Sequence, residues 1–218
     1  MKKSIFLIIP IILSMLVSSM SCKKDKTDDN TTLGGDQSPM GNVGTTISST
    51  SVQIAGVSNF NATVTALSNG ISTYSGSATV ANAALLNMLA NVPEITIAGN
   101  VVSTTSFKFK NTTEGIQLLS GPTQGIWVDY NSSVGDTYPI GSTGKVRTVV
   151  SKSTTDDYYY GFYLIKVMQV EENTSFLKST GINKITYWAN HKFGLVGIQF
   201  SFTDGTSAQF PVYTSVTN

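Results

Sequence analysis

The chain has 218 residues and a formal net charge of +1, and only 12% of its residues are charged, against about 25% in typical soluble domains. From residue 47 onward nine basic residues balance nine acidic ones without forming a cluster, which argues against nucleic-acid binding and against electrostatic docking on anionic lipid. The single cysteine, Cys22, precedes the region expected to fold, so that region has neither a disulfide nor a thiol nucleophile.

The first 21 residues have the pattern of an export signal. Lys2 and Lys3 supply positive charge, and the thirteen residues 5–17 are apolar except for Ser14. A membrane-spanning helix needs about twenty apolar residues, so this length predicts a cleaved signal sequence over residues 1–21.

Small residues precede the cysteine in the run Ser19, Met20, Ser21, Cys22. This run resembles a lipobox, and with the following Lys-Lys-Asp it resembles the leaders of Bacteroidota lipoproteins. The resemblance implies cleavage between Ser21 and Cys22 and lipid attachment at Cys22, and hence anchoring to the outer membrane. Whether the protein would face the periplasm or the cell surface stays open, and an ordinary secretory signal is the alternative.

From the cysteine onward, residues 22–45 are polar and rich in glycine. Such a segment has little apolar surface to offset the entropy lost on ordering. We expect a lipidated cysteine and flexible tether over residues 22–45 and a single β-rich domain over residues 46–218.

From residue 46 onward, short runs of Val, Ile, Thr, Tyr and Phe alternate with turn residues, which is typical of β-strands. The predicted strands are 47–56, 60–67, 71–79, 95–109, 114–120, 125–130, 145–152, 159–171, 182–190, 195–203 and 207–216. Asn69-Gly70 predicts a tight turn. In the last hairpin, a three-residue loop over 203–205 pairs Phe200 with Ala208 and keeps Val196, Ile198, Phe200 and Phe202 on one face.

One amphipathic helix is predicted over residues 81–92, capped by Thr79 and ended by Pro93. The strand 162–171 is apolar on both faces, so we expect the helix to cover one of them. The apolar contacts, either core or ligand site, are then expected at Leu85, Met88, Leu89, Leu164 and Met168.

The predicted fold is mainly β: one curved antiparallel sheet, half-barrel or sandwich-like, with one amphipathic helix packed on it. Residues 134–138 (VGDTY) and 187–196 (YWANHKFGLV) resemble segments of secreted β domains. The expected architecture also resembles the half-barrel of LolA- and LppX-type lipoprotein carriers. The resemblance concerns architecture, and a fold does not determine function.

Several polar or aromatic residues are candidates for a site. His191, the only histidine, has no second histidine for a metal site and is expected in a turn. Asp156 and Asp157 are expected in a solvated loop. The carboxylates Glu114, Asp129 and Asp136 would have to converge to act as a hydrolase pair. The remaining candidates are aromatic, and two interpretations stay open: an exposed patch that binds a sugar or a protein, or packing in the core. These residues are Tyr158, Tyr159, Tyr160, Phe162, Tyr163, Tyr187 and Trp188.

The sequence therefore predicts a non-enzymatic envelope lipoprotein that binds an apolar ligand or a partner protein and needs no metal or cofactor. A structural or adhesive lipoprotein without an internal site is the first alternative, and a carboxylate-based hydrolase is the second. A dry apolar cavity beside the helix would favour ligand binding, whereas a filled core would favour the structural or adhesive lipoprotein.

Lipid attachment gives a direct test of the leader. In cells fed an alkyne fatty acid, we expect the wild-type protein to carry the label and Cys22→Ser to lose it, because the thiol is the attachment point. Equal labelling of both proteins would contradict lipidation at Cys22.

Overall fold

The computed structural model describes residues 32–49, 56–173 and 181–216. The signal sequence, the cleavage position between Ser21 and Cys22, and residues 50–55 of the first predicted strand lie outside the described residues. The structure is 58% strand and 6% helix, with a curled antiparallel sheet and, among the described residues, a single helix. The predicted mainly β fold class is therefore confirmed.

The described residues form sixteen strands and one α-helix. They are β1 Thr46–Ser48, β2 Val57–Ser68, β3 Ile71–Val80, α1 Ala83–Leu89, β4 Thr96–Ala98, β5 Val101–Thr112, β6 Gly115–Leu118, β7 Gly125–Asp129, β8 Thr137–Ile140, β9 Lys145–Lys152, β10 Tyr158–Tyr160, β11 Tyr163–Ile165, β12 Met168–Asn173, β13 Ile182–Asn190, β14 Gly194–Phe202, β15 Ser207–Pro211 and β16 Tyr213–Ser215.

Every pair formed by these strands is antiparallel. An eight-stranded sheet has the order β16-β1-β2-β3-β5-β6-β7, with β4 paired to the first half of β5. A six-stranded sheet has the order β15-β14-β13-β12-β9-β8, and β10 and β11 form a separate hairpin.

Both predicted hairpin turns are confirmed. Asn69 and Gly70 have positive φ angles of 51° and 75°, as a two-residue turn that matches the strand twist requires. In the β14–β15 hairpin, Phe200 pairs with Ala208, and Gly205 has φ 86° at the last position of the three-residue loop.

One face assignment in β14 is wrong because the strand contains a bulge. The register with β13 shifts between Trp188 and Ala189, so β14 carries one extra residue, Val196, at this point. Val196 consequently packs on the outer face of the six-stranded sheet, whereas Ile198 and Phe200 pack on the inner face. A bulge of this kind changes which face a side chain occupies.

The helix is shorter than predicted and begins at a different cap. The side chain of Asn82, in place of the predicted Thr79, accepts a hydrogen bond from the backbone N–H of Leu85 at 3.1 Å. Leu89 is the last helical residue, and the chain continues in turns to Pro93.

A filled apolar core joins the two sheets near the β5–β6, β7–β8 and β13–β14 turns. It contains the buried side chains of Leu33, Ile116, Ile126, Val128, Tyr138, Val149, Met168, Val170 and Ala189. Since no disulfide is available to this domain, such apolar burial is its main source of stability.

Leu33 belongs to that core although the sequence predicts a flexible tether through residue 45. Leu33, Met40 and Thr45 are all buried, and a single 3-10 turn spans Pro39–Gly41. The tether prediction is therefore wrong for residues 32–45. The buried side chains of Leu33 and Met40 attach this segment to the domain, and the backbone N–H of Leu33 donates to the side chain of Gln117.

The predicted strand over 162–171 is two strands, β11 and β12, which belong to different sheets. The β10–β11 hairpin covers the outer face of the six-stranded sheet, where Tyr160 and Ile165 pack with Val167 and Val196. The sequence predicts that a second layer covers the apolar outer face of this region. That layer is the β10–β11 hairpin and not the helix.

A buried ion pair connects β9 and β12 inside the six-stranded sheet. Arg147 Nε lies 2.9 Å from Glu172 Oε2, and both side chains are fully buried. The guanidinium also donates to the backbone oxygens of Thr123 and Ile126, and the Tyr187 hydroxyl donates to Glu172 Oε2 at 3.0 Å. The pair therefore links two strands of one sheet to β7 and its preceding loop in the other.

Removing one partner of this pair should cost more stability than removing both. We expect Glu172→Leu to lower the free energy of unfolding by about 3–5 kcal/mol, because it leaves the Arg147 charge buried without its counter-ion. The double variant Arg147→Met with Glu172→Leu should recover much of that loss in urea unfolding. Equal losses in the single and double variants would contradict this account.

Candidate functional site: an apolar cavity between the sheets

A cavity of about 300 Å³, partly open to solvent, lies between the two sheets and beside α1. Its main wall residues, in chain order, are Ile47, Val57, Phe60, Tyr74, Ala78, Val80, Leu85, Met88, Leu89, Ile95, Val102, Phe107, Phe109, Trp127, Leu195, Ile198, Phe200, Phe210 and Val212. Almost no polar surface faces the space, and no charged residue lines it within the described part of the chain. Exposed Asn61 lies at its rim.

Strand alternation and small residues create this space. Tyr74, Gly76, Ala78 and Val80 follow one another at every second position of β3 and all line the cavity. At Gly76 a side chain would meet the backbone oxygen of Asn61 at 2.6 Å, so the close approach of β2 requires glycine. Ala78, whose side chain is a single methyl group, leaves unfilled volume beside its larger neighbours in this row.

The helix forms one wall of the cavity instead of the predicted cover for residues 162–171. Leu85 is buried in a cluster with Val102, Ile185 and Phe202. Met88 and Leu89 are half-buried; they pack against the edge of this cluster and also border the cavity.

Aromatic rings separate the cavity from the buried ion pair. Trp127 lines the cavity and stacks on Tyr187 with 4.8 Å between ring centroids. The rings of Phe109 and Trp127 meet in a T-shaped arrangement with 5.2 Å between centroids. Burial, together with the neighbouring Glu172 carboxylate, raises the pKa of Tyr187 well above its usual value. Tyr187 therefore stays a neutral hydrogen-bond donor to Glu172.

Tyr74 places its ring in the cavity wall and its hydroxyl outside the apolar space. The hydroxyl donates to the backbone oxygen of Met40 at 3.3 Å and accepts from Asn111 Nδ2 at 2.9 Å. Burial raises its pKa to about 12, an effect that the Asn111 hydrogen bond partly offsets. The wall thus stays apolar although it contains a phenol.

The predicted apolar contacts lie in three different places. Leu85, Met88 and Leu89 line the cavity. Met168 lies in the filled core, and Leu164 is exposed on the β10–β11 hairpin. The expected contact of the helix with Leu164 and Met168 is therefore absent, because the inner face of β13 and β14 packs against the helix instead.

The polar candidates form no common site. His191 is exposed in the β13–β14 turn, as predicted, and Asp156 and Asp157 are exposed in a loop. Asp129 and Asp136 each accept a backbone N–H from their own loop, at Asn131 and Ser133.

The third carboxylate, Glu114, lies in the β5–β6 turn and, like Asp129 and Asp136, does not line the cavity. No group of three or more His, Cys, Asp or Glu residues in the described ranges could hold a metal ion.

The aromatic candidates divide between packing and exposure. Tyr158 stacks on Trp188, Tyr160 packs on Phe193 and Tyr213, and Tyr187 lies in the inner core. Tyr159, Phe162 and Tyr163 are exposed on the β10–β11 hairpin. Both interpretations of these residues are therefore correct, each for a different subset.

Much of the cavity wall cannot be predicted from the sequence. Ala78, Phe107, Phe109 and Trp127 lie on predicted strands, and their inward direction follows from alternation, but alternation does not show whether the facing layer fills the space. The buried Arg147–Glu172 pair left no signal, since both residues occupy positions that an exposed strand face would also allow.

Comparisons with protein-family models, with curated proteins and with solved structures find no match to this chain. Among the described residues, no helix has the length and apolar character needed to cross a membrane.

The buried phenol of Tyr74 should make stability fall at alkaline pH. Its folded pKa of about 12 lies above the ordinary value of 10.0, so its contribution is complete below pH 10 and is lost as the pH rises towards 12. We expect this group to remove about 2–3 kcal/mol over that range. Urea unfolding of the wild type and of Tyr74→Phe at pH 9–12 measures it, and the variant should show a shallower decline. Equal slopes would contradict the assignment.

Proposed function

We propose that the protein is a non-enzymatic, membrane-anchored envelope lipoprotein that binds an apolar molecule in the cavity between its sheets. The cavity is the observation that carries this proposal. Its volume of about 300 Å³ lies at the lower end of the range of ligand pockets, about 300–1,000 Å³. An apolar cavity of about 150 Å³ is already large enough to stay dry and bind benzene.

The lining supports a specific ligand chemistry. No charged side chain of the described residues faces the space, so a carboxylate or phosphate drawn inside would lose its hydration without a counter-ion. A flexible hydrocarbon chain suits the space, and any polar group that it carries would remain at the open rim near Asn61. An acyl chain of a lipid is such a molecule.

The alternatives receive less support from these residues. A structural or adhesive lipoprotein needs no internal space, whereas the cavity removes dispersion contacts that a filled core would gain. A carboxylate hydrolase needs two carboxylates facing each other across a cleft, and Asp129 and Asp136 instead each bond a backbone N–H of their own loop.

Native mass spectrometry can test for a bound molecule. The mature chain from residue 22, with Cys22→Ser to remove its own lipid, should purify with an apolar adduct. After extraction of that molecule, the neutral probe N-phenylnaphthylamine should bind and fluoresce. Ala78→Leu should weaken probe binding at least tenfold, because Ala78 lines the cavity and a larger side chain fills it.

The matched control is Ala98→Leu, the same change at an exposed residue of β4, which should leave probe binding unchanged. A mass without an adduct, together with no probe binding by the extracted protein, would leave the structural or adhesive alternative. Equal probe binding by Ala78→Leu and the wild type would show that the probe binds elsewhere.

Two leucines of α1 test the same cavity through stability. Leu85 is 3% exposed, so Leu85→Ala should cost about 2–5 kcal/mol of unfolding free energy. Leu89 borders space that is already empty, so Leu89→Ala should cost less in the same urea titration and should alter probe binding. Equal losses would indicate that the space at Leu89 is filled in solution.

A further inference from the structure

The tip of the β10–β11 hairpin exposes four large apolar and aromatic side chains. Phe162 is fully exposed, Tyr159 is 81% exposed, Tyr163 70% and Leu164 46%. The six residues 159–164 contain no charged side chain. Exposure of several large apolar side chains together usually marks a surface that another molecule covers.

Inward-facing residues of the same hairpin hold this tip in place. Tyr160 pairs with Tyr163 across the hairpin, and its ring packs on Phe193 and Tyr213 at centroid distances of 4.9 and 5.2 Å. Ile165 is buried in the same cluster. The exposed side chains therefore project from a supported hairpin.

The hairpin lies at the end of the domain where the N-terminal segment enters. A side chain at Gly194, in the first position of β14, would meet Met40 Sδ at 2.7 Å, so the entering segment contacts the β13–β14 turn. Phe193 of that turn packs on Tyr160, and Asn190 donates to the backbone oxygen of Lys166, directly after β11.

The length of chain before the domain limits its distance from an anchor. Ten peptide units separate Cys22 from Thr32, the first described residue, and they span at most about 35 Å. A lipid on Cys22 would keep this end of the domain, and with it the hairpin, close to the bilayer surface.

We propose that the exposed side chains of the hairpin tip, Tyr159, Phe162, Tyr163 and Leu164, insert into the interfacial layer of a lipid bilayer. Tyrosine side chains with an apolar ring and a polar hydroxyl suit the boundary between headgroups and acyl chains. Side chains that project separately from a narrow hairpin can enter lipid, whereas a protein-binding site usually offers a broad and closely packed surface. This inference draws on the proposed anchor at Cys22 for the nearness of the membrane, and it does not depend on the cavity having a ligand.

Apolar insertion, not charge, drives this binding. Lys166 beyond the hairpin is offset by Asp156 and Asp157 before it, so the hairpin carries no excess of positive charge. Binding should therefore occur on zwitterionic vesicles and should persist at high salt, whereas electrostatic docking weakens with salt.

The test is co-sedimentation of the mature chain, carrying Cys22→Ser, with vesicles of phosphatidylcholine and phosphatidylethanolamine. Without a lipid anchor the chain should still partition onto them, and Phe162→Asp should reduce the partition coefficient at least tenfold. In Phe162→Trp, the new indole should shift its emission to the blue on binding and should be quenched by lipids brominated near the headgroups.

Val101→Asp is the matched control, because Val101 is 49% exposed at the far end of β5 from the entering segment. It should leave vesicle binding unchanged, and so should the cavity variant Ala78→Leu, which separates this result from the proposed ligand binding. No vesicle binding by the Cys22→Ser chain, equal binding by Phe162→Asp, or a dimer abolished by Phe162→Asp would each overturn the proposal. The last outcome would assign the tip to a second copy of the chain.

Discussion

Contact between the inner faces of two antiparallel sheets is the constraint on which this structure depends, and the contact is complete at one end only. Along β13, Ala189 lies in the filled core, whereas Ile182 and Ile185 lie at the helix end. Along β5, Phe109 packs at the filled end and Val102 at the helix end. The filled end can stabilise the domain while the other end keeps open volume, as a binding site requires.

The buried ion pair lies between these two regions. Arg147 and Glu172 sit behind the stacked rings of Tyr187 and Trp127, so the polar network is shielded from the cavity by aromatic side chains. A buried pair of this kind contributes little net stability compared with apolar residues of similar volume, but it strongly disfavours arrangements that separate its partners. Here it fixes β9 beside β12 and holds both against β7, which positions the wall that carries Trp127.

Those features of the fold that local chemistry determines can be predicted from the sequence. The register of the β14–β15 hairpin follows from face matching and Gly205, and the Asn69-Gly70 turn follows from its backbone preferences. The sequence does not reveal a break between two strands when the alternation of apolar side chains continues across it. Leu164 and Met168 have the same parity, yet they lie in β11 and β12 of different sheets. Likewise, the bulge at Val196 changes a face without changing composition, and cavity volume depends on layers that meet only in the folded chain.

The burial of Leu33 also has a mechanical consequence. Its backbone N–H donates to Gln117, its backbone oxygen accepts from Lys110, and its side chain lies in the filled core. A force applied through the N-terminus would therefore reach β5 and β6 directly, because the chain is bound to both strands one residue after Thr32. The attachment at Leu33 also limits the motion of the domain. If the chain is anchored at Cys22, the ten peptide units before Thr32 set how far the domain can rotate and travel relative to the membrane.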